Sequence, residues 1–276
     1  MFSRIWDLTL MKSIRAFKKQ FSPIIKSVWA TLGIPFDNTA IDEKIEGIID
    51  VEALILISLL LMEQDRLTTD FPAWANRFST LINHQKLKTM LKMIPGPQRE
   101  IILENMKQPT FQGVSKSVRQ IFLLEPPSET VIRTVRNRAQ KLNTIENVAQ
   151  TSIMLRNRLQ YGTGFRADII SLTEIKDFNM RGTQLAKLLC TNDSTVSRIL
   201  NDLKASGFLD RDNVRMDPSE TYPGMFISSQ TIWNICEIID AYQFTYKELK
   251  QTALESLNFK HDGCGKKYLH GLDALI

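Results

Sequence analysis

Ser194, Thr195, Ser197, Arg198 and Asn201 sit within one short window of the chain, "STVSRILN". On a helix they share one face. Short hydroxyl and amide side chains let a backbone approach base edges closely, and an arginine adds a planar fork that bonds guanine or a phosphate. The chemistry these residues offer is hydrogen-bonded recognition in a nucleic-acid groove. Val196, Ile199, Leu200 and Leu203, interleaved with them and just beyond, repeat at three and four and form the opposite, apolar stripe.

The flanking elements must hold that helix. "CTND" reads as a turn, with Asn192 or Asp193 capping the helix that follows. Upstream, Gly182 breaks the chain and Thr183 can cap a helix carrying Leu185, Ala186, Leu188 and Leu189. "FRADIISLTEI" places Ile169, Leu172 and Ile175 on one face of an earlier helix. Downstream, Gly207 stands as a C-terminal stop, and "FLDRDNVRMD" reads as strand, tight turn at Asp212-Asn213, and strand. The expectation is a winged helix-turn-helix: a recognition helix over 193–206 and a wing over 208–216, with Arg211, Asn213 and Arg215 at its tip against phosphate or minor groove. Thr183 and Gln184 would hold phosphate. The same tri-helical module can also serve protein contact alone. Asp193, Asp202, Asp210 and Asp212 nearly cancel its cations.

"TVSRILNDLKASGFL" resembles the recognition helix and following strand of MarR/ArsR-like bacterial winged-helix regulators. The chain also resembles prokaryotic helix-turn-helix regulators in which an N-terminal helical region and a Pro-rich link precede an "LR-x-R…G-x-G-x-R-A-(D/E)" signature. Here "LLEPP" is followed by "LRNRLQYGTGFRAD", Leu155 to Asp168, and "DVEALILISLLLMEQDRL" is similar to the opening of that helical region. The resemblance implies a double-stranded-DNA-binding transcriptional regulator and assigns no effector.

Composition agrees with a globular, non-membrane, cytoplasmic protein. Apolar residues make up 43% and charged residues 24%, and the net charge of +5 suits a polyanionic partner. Three scattered cysteines, Cys190, Cys236 and Cys264, form no disulfide framework and point to a reducing compartment. The most apolar run, Ala53 to Met62, is about half the ~20 residues a membrane span needs and reads as a buried helix capped by Asp50.

The expected fold is mainly α. It comprises an N-terminal helical domain over 1–126, a basic linker with a connector helix over 127–160, the winged helix-turn-helix over 161–227 and a C-terminal helical extension over 228–276. Residues 1–35 carry Arg4, Lys12, Arg15, Lys18, Lys19 and Lys26 against Asp7 alone, with Ile14, Phe17, Phe21, Ile24, Ile25, Val28 and Leu32 on one helical face and Pro23 as a break or kink. Two readings stand for it: an arm on nucleic acid or a membrane surface, or a docking helix with a solvated basic face. "FPAWANRFSTLINHQKLKTMLKMIPGP" reads as two amphipathic helices ended by Pro95-Gly96-Pro97, with another from Gln98 to Met106. Pro126-Pro127 gives the strongest linker signal. Over 131–160 Arg133, Arg136, Arg138, Lys141, Arg156 and Arg158 face a single acid, Glu146, and can add phosphate grip, with a helix expected from about Asn147. "YGTG" lacks the rest of any phosphate-loop motif and reads as a turn.

The C-terminal extension shows two helical patterns, one with Ile232, Ile235, Ile238 and Ile239, the other with Leu249, Ala253, Leu254 and Leu257. Trp233, Tyr242, Phe244 and Tyr246 belong to a core, a homodimer face or an effector pocket. His261, Cys264 and His270 lack the spacing of a structural zinc site, and nothing orients a base for a Cys-His nucleophile. No cofactor and no catalysis are expected. The alternative function is a protein-interaction module, the antitoxin-like partner of an enzyme such as a nucleotidyltransferase, docking through the winged helix.

Overall fold

A computed structural model describes residues 18, 21–34, 48–61, 67–174, 180–209 and 226–241. They are mainly helical. Residues from Phe21 to Asn234 belong to one compact unit; Lys18 and the helical residues 235–241 belong to a second. The wing residues Arg211, Asn213 and Arg215, most of the basic arm, the pattern over 249–257 and the His261/Cys264/His270 tail lie outside the described residues. So do Ile175, Tyr242, Phe244 and Tyr246.

The N-terminal helices assemble around aromatic rings. Helix α1, residues 21–31, runs through Pro23 and buries Ile25, Val28 and Trp29, with Leu32 just beyond. Trp29 packs edge-on against Phe71 at 5.6 Å and Trp74 at 5.2 Å, and its Nε1–H donates to Ser58 Oγ at 2.8 Å. Residues 21–31 thus pack into the N-terminal core, while most of the basic arm lies outside the described residues. Ile24, expected on the apolar face, is 49% exposed. Helix α2, Val51–Leu61, is buried along its whole length. Asp50 caps it as expected, its carboxylate accepting from Ala53 N–H at 3.1 Å. Among the described residues no helix is long and apolar enough to cross a membrane.

Helix α3, Leu67–Arg77, and a 3-10 turn at Ser79–Leu81 lead to α4, His84–Met93, capped by Asn83. Helix α5, Gly96–Met106, starts directly after Pro95, because Pro97 near its first turn needs no donor. A 3-10 stretch, Pro109–Gly113, and α6, Lys116–Phe122, precede the irregular Pro126-Pro127 segment. Beyond that segment, α7, Glu129–Ala139, packs back on α3 and on the 3-10 stretch. Gly113 permits that approach: a Cβ there would lie 2.4 Å from Val135 Cγ2.

The helix expected from Asn147 is two helices, α8, Ile145–Thr151, and α9, Ile153–Tyr161. They are separated by Ser152 in an extended conformation (φ −140°, ψ 122°), whose hydroxyl caps α9. Gly162, at φ +85°, turns the chain within "YGTG" towards α10, Phe165–Thr173. The Thr163 hydroxyl donates to the Thr80 carbonyl and ties that turn to the earlier helices.

Arg158, expected among the cations that can add phosphate grip, is not at the surface. It is 1% exposed and all five of its N–H donors are used. Nε and Nη2 bond Asp168 at 2.7 and 2.9 Å; Nη1 and Nη2 bond Glu52 at 2.7 Å each; Nη1 also bonds the Leu81 carbonyl at 2.8 Å. Lys86 completes the cluster, 2.7 Å from Asp50 and 3.1 Å from Asp168. Three carboxylates thus meet two cations in a sealed interior. Burial pushes Glu52 up to about 7 against the pull of Arg158. Burial alone would also raise Asp168, but Arg158 and Lys86 together outweigh it and hold the carboxyl down at about 2.

Removing one partner of a buried ion pair strands the others. Arg158→Ala should therefore lower unfolding stability by about 3–5 kcal/mol in a urea titration; a loss below about 1 kcal/mol would show that the cluster is not what it is taken to be. Glu52 also sets a pH dependence. Its folded pKa lies above the ordinary 4.5, so the folded state holds a proton that the unfolded chain has released between pH 4.5 and about 7. The stabilisation is complete below 4.5 and is lost as pH rises through 7. His84, whose pKa burial lowers, works in the opposite direction near pH 6.5. Glu52→Gln should remove the decline between 4.5 and 7, whatever its effect on absolute stability. Parallel stability profiles for the variant and the wild type would contradict this assignment.

Candidate nucleic-acid interface

Three helices build the candidate interface. Helices α10, α11, Gly182–Leu188, and α12, Asp193–Ala205, share a core through Ile169, Leu172, Leu185, Val196, Ile199 and Leu203, with Leu200 partly buried against it. The stripe expected on α12 is thus its inward face. α11 begins one residue earlier than Thr183 can cap. Gly182 is its first residue, and the Gln184 side chain accepts from Arg181 N–H at 2.9 Å. Thr183 is an exposed residue of the first turn.

The turn between α11 and α12 depends on Cys190, which takes a left-handed conformation at φ +52°. Thr191 N–H then reaches back to the Ala186 carbonyl at 2.9 Å, closing α11 as a glycine usually does. Burial pushes the Cys190 thiol up to about 11. Cys190 and Cys236 are free thiols. Asn192 caps α12: its side-chain oxygen accepts from Thr195 N–H at 2.7 Å and from the Ser194 hydroxyl at 2.8 Å. At the other end Gly207, at φ +70°, is the expected stop, and Phe208 N–H donates to the Leu203 carbonyl at 2.9 Å.

Ser194, Ser197, Arg198 and Asn201 are exposed on the outward side of α12, and Thr195 is half-buried. Arg198 finds no acceptor among the described residues, whereas Arg166 on α10 pairs with Asp202 on α12 at 2.7 Å. The structure therefore brings Ser194 to Asn201 onto one accessible face, with Thr183 and Gln184 at the exposed start of α11.

Phe208 and Leu209 form a bend instead of the strand expected there. Phe208 is 46% exposed, with its ring edge-on to Tyr161 at 6.4 Å. Strand pairing instead joins β1, Ile48–Ile49, in parallel to β2, Phe226–Ile227. Nearby, the Ser229 hydroxyl donates to the Leu188 carbonyl at 2.6 Å. Of the apolar pattern beyond, Ile232 is buried and Trp233 half-buried. In the second unit Ile235 and Ile239 are buried but Ile238 is 38% exposed.

Sequence reasoning missed the residues that support the interface from within: Glu52, Lys86, Arg158 and Asp168. A signal existed in the "LR-x-R…R-A-D" pattern, whose last arginine before the turn and final aspartate are the buried pair Arg158–Asp168. The same pattern's Arg156 is an outer residue, paired with Glu174 at 2.7 Å. Comparison with known proteins finds no matching family model, curated protein or solved structure.

The Asn192 side chain is the only cap among the described residues that bonds both a backbone N–H and a hydroxyl of the recognition face. Asn192→Ala should cost about 1 kcal/mol of stability, read as a shift in the denaturation midpoint. No shift would mean that α12 starts elsewhere.

Proposed function

We propose that the chain binds double-stranded DNA sequence-specifically and acts as a transcriptional regulator. The observation that carries this reading is the division of α12. Val196, Ile199 and Leu203 are buried, while Ser194, Ser197, Arg198 and Asn201 stand exposed with Arg198 uncommitted. In this reading α12 enters the major groove, Ser194, Thr195, Ser197, Arg198 and Asn201 read base edges, and Thr183 and Gln184 contact phosphate through hydroxyl and amide groups. A winged module would place Arg211, Asn213 and Arg215 over the neighbouring backbone or minor groove. A homodimer would present two such helices to two half-sites.

One observation favours protein docking instead. Leu159, Tyr161 and Phe208 are 47%, 43% and 46% exposed, and the two rings touch. An antitoxin-like or nucleotidyltransferase-binding module would use such a patch.

Salt separates the two readings, because each neutralised phosphate releases counterions. Fluorescence anisotropy against random and upstream-region duplexes at several salt concentrations should show steep salt dependence and a preference for one duplex. On that preferred duplex Arg198→Ala should cost about 1–3 kcal/mol of affinity. Unchanged affinity would remove Arg198 from base reading, and no binding at low salt would favour the docking reading.

A further inference from the structure

The described arginines divide into two groups. Arg77, Arg99 and Arg119 give their N–H groups to backbone carbonyls, and four others pair with carboxylates. Four are left whose guanidinium groups have no partner among the described residues: Arg181 and Arg198 at the helix-turn-helix, and Arg133 and Arg136 on α7. Most of the described arginines are thus held by the protein itself, and α7 holds two that are not.

Their placement is consistent with one face. Val135 is buried and Val131 half-buried where α7 meets α3 and Gly113, so the opposite side points outward. On that side stand Arg133, Arg136, Asn137 and Gln140, all exposed, followed by exposed Lys141. The one acid on this face, Glu129, lies in the first turn. Compensation of the helix dipole favours cations in a last turn and so accounts for Arg136 and Arg138. It does not account for Arg133 in the middle of the helix. Cations spaced by a helical turn and interleaved with amides match the donors that grip a phosphate backbone.

We propose that the outer face of α7 is a second duplex-binding surface, with Arg133, Arg136 and Lys141 contacting phosphates and Asn137 and Gln140 adding neutral donors. It rests on the reading of the chain as a duplex-binding protein and adds a surface separate from α12. It would supply sequence-independent affinity, because phosphates carry no base information.

The test is anisotropy with the full chain, comparing Arg133→Gln/Arg136→Gln with Arg198→Ala on the preferred and a random duplex across a salt series. The α7 double variant should weaken both duplexes by the same factor and lower the slope of log affinity against log salt by about two. Arg133→Lys/Arg136→Lys should restore the slope, since point charges suffice for phosphates. A melting curve matching the wild type shows that the fold is intact. An unchanged slope with Arg198→Ala still impaired would overturn this inference and leave the α12 reading standing. A lowered slope with Arg198→Ala inert would support the α7 surface and sink the α12 reading. Absence of duplex binding by the wild type would overturn both.

Discussion

Arg158 cannot be moved without breaking five hydrogen bonds, and its acceptors come from three separate stretches of chain. Glu52 belongs to the first turn of α2, Leu81 to the 3-10 turn before α4, and Asp168 to the first helix of the tri-helical module. Asp168 also receives Lys86 from α4. A guanidinium fork accepts carboxylates only in its own plane. The cluster therefore fixes not merely that these elements are adjacent but how each is rotated. Apolar packing alone tolerates small slips between helices. This arrangement does not, because a slip would leave a charge buried and unpaired.

The consequence reaches α12 through two steps. α10 is held by Asp168 on one side and packs against α11 and α12 through Ile169 and Leu172 on another. Arg166, two residues before Asp168, adds an outer tie to Asp202 of α12. The orientation of the exposed Ser194–Asn201 face thus traces back to a buried ion cluster whose nearest member lies a helix away. Burial raises the proton affinity of Glu52 beyond what Arg158 offsets, with Asp50 adding to the rise, whereas Arg158 and Lys86 outweigh burial at Asp168.

Local patterns were legible in the sequence. The cap at Asp50, the burial of α2, the inward stripe of α12, its Asn192 cap and its stop at Gly207 each depend on residues a few positions apart, and periodicity reports such spacing directly. What depended on distant partners was not. Arg158 lies in a stretch rich in cations, and its acids are 106 and 10 residues away, so counting local charge placed it on the surface. Ser152 divides α8 from α9 without a proline or glycine to announce it. Cys190 adopts a conformation normally left to glycine, imposed by the closure of α11. The β1–β2 pairing joins residues 48–49 to 226–227, with nothing in either dipeptide to name the other.

In the proposed reading, the charges of the described outer surface would divide recognition from affinity. Arg198 and Lys204 are the exposed cations of α12, and exposed Asp193 and Asp202 on the same helix balance them. If α12 enters a groove as proposed, a helix so balanced would neutralise few phosphates, and non-specific affinity comes from neutralised phosphates. In the proposed reading, several further arginines on α12 would add attraction to any duplex and dilute discrimination by its hydroxyls and amide. The fold ties up most of the described arginines in ion pairs and carbonyl contacts and leaves α7 with two that have no partner among the described residues. In a duplex-binding protein, a sparse reading helix and a separate cationic helix in the same compact unit would let base discrimination and backbone attraction vary independently.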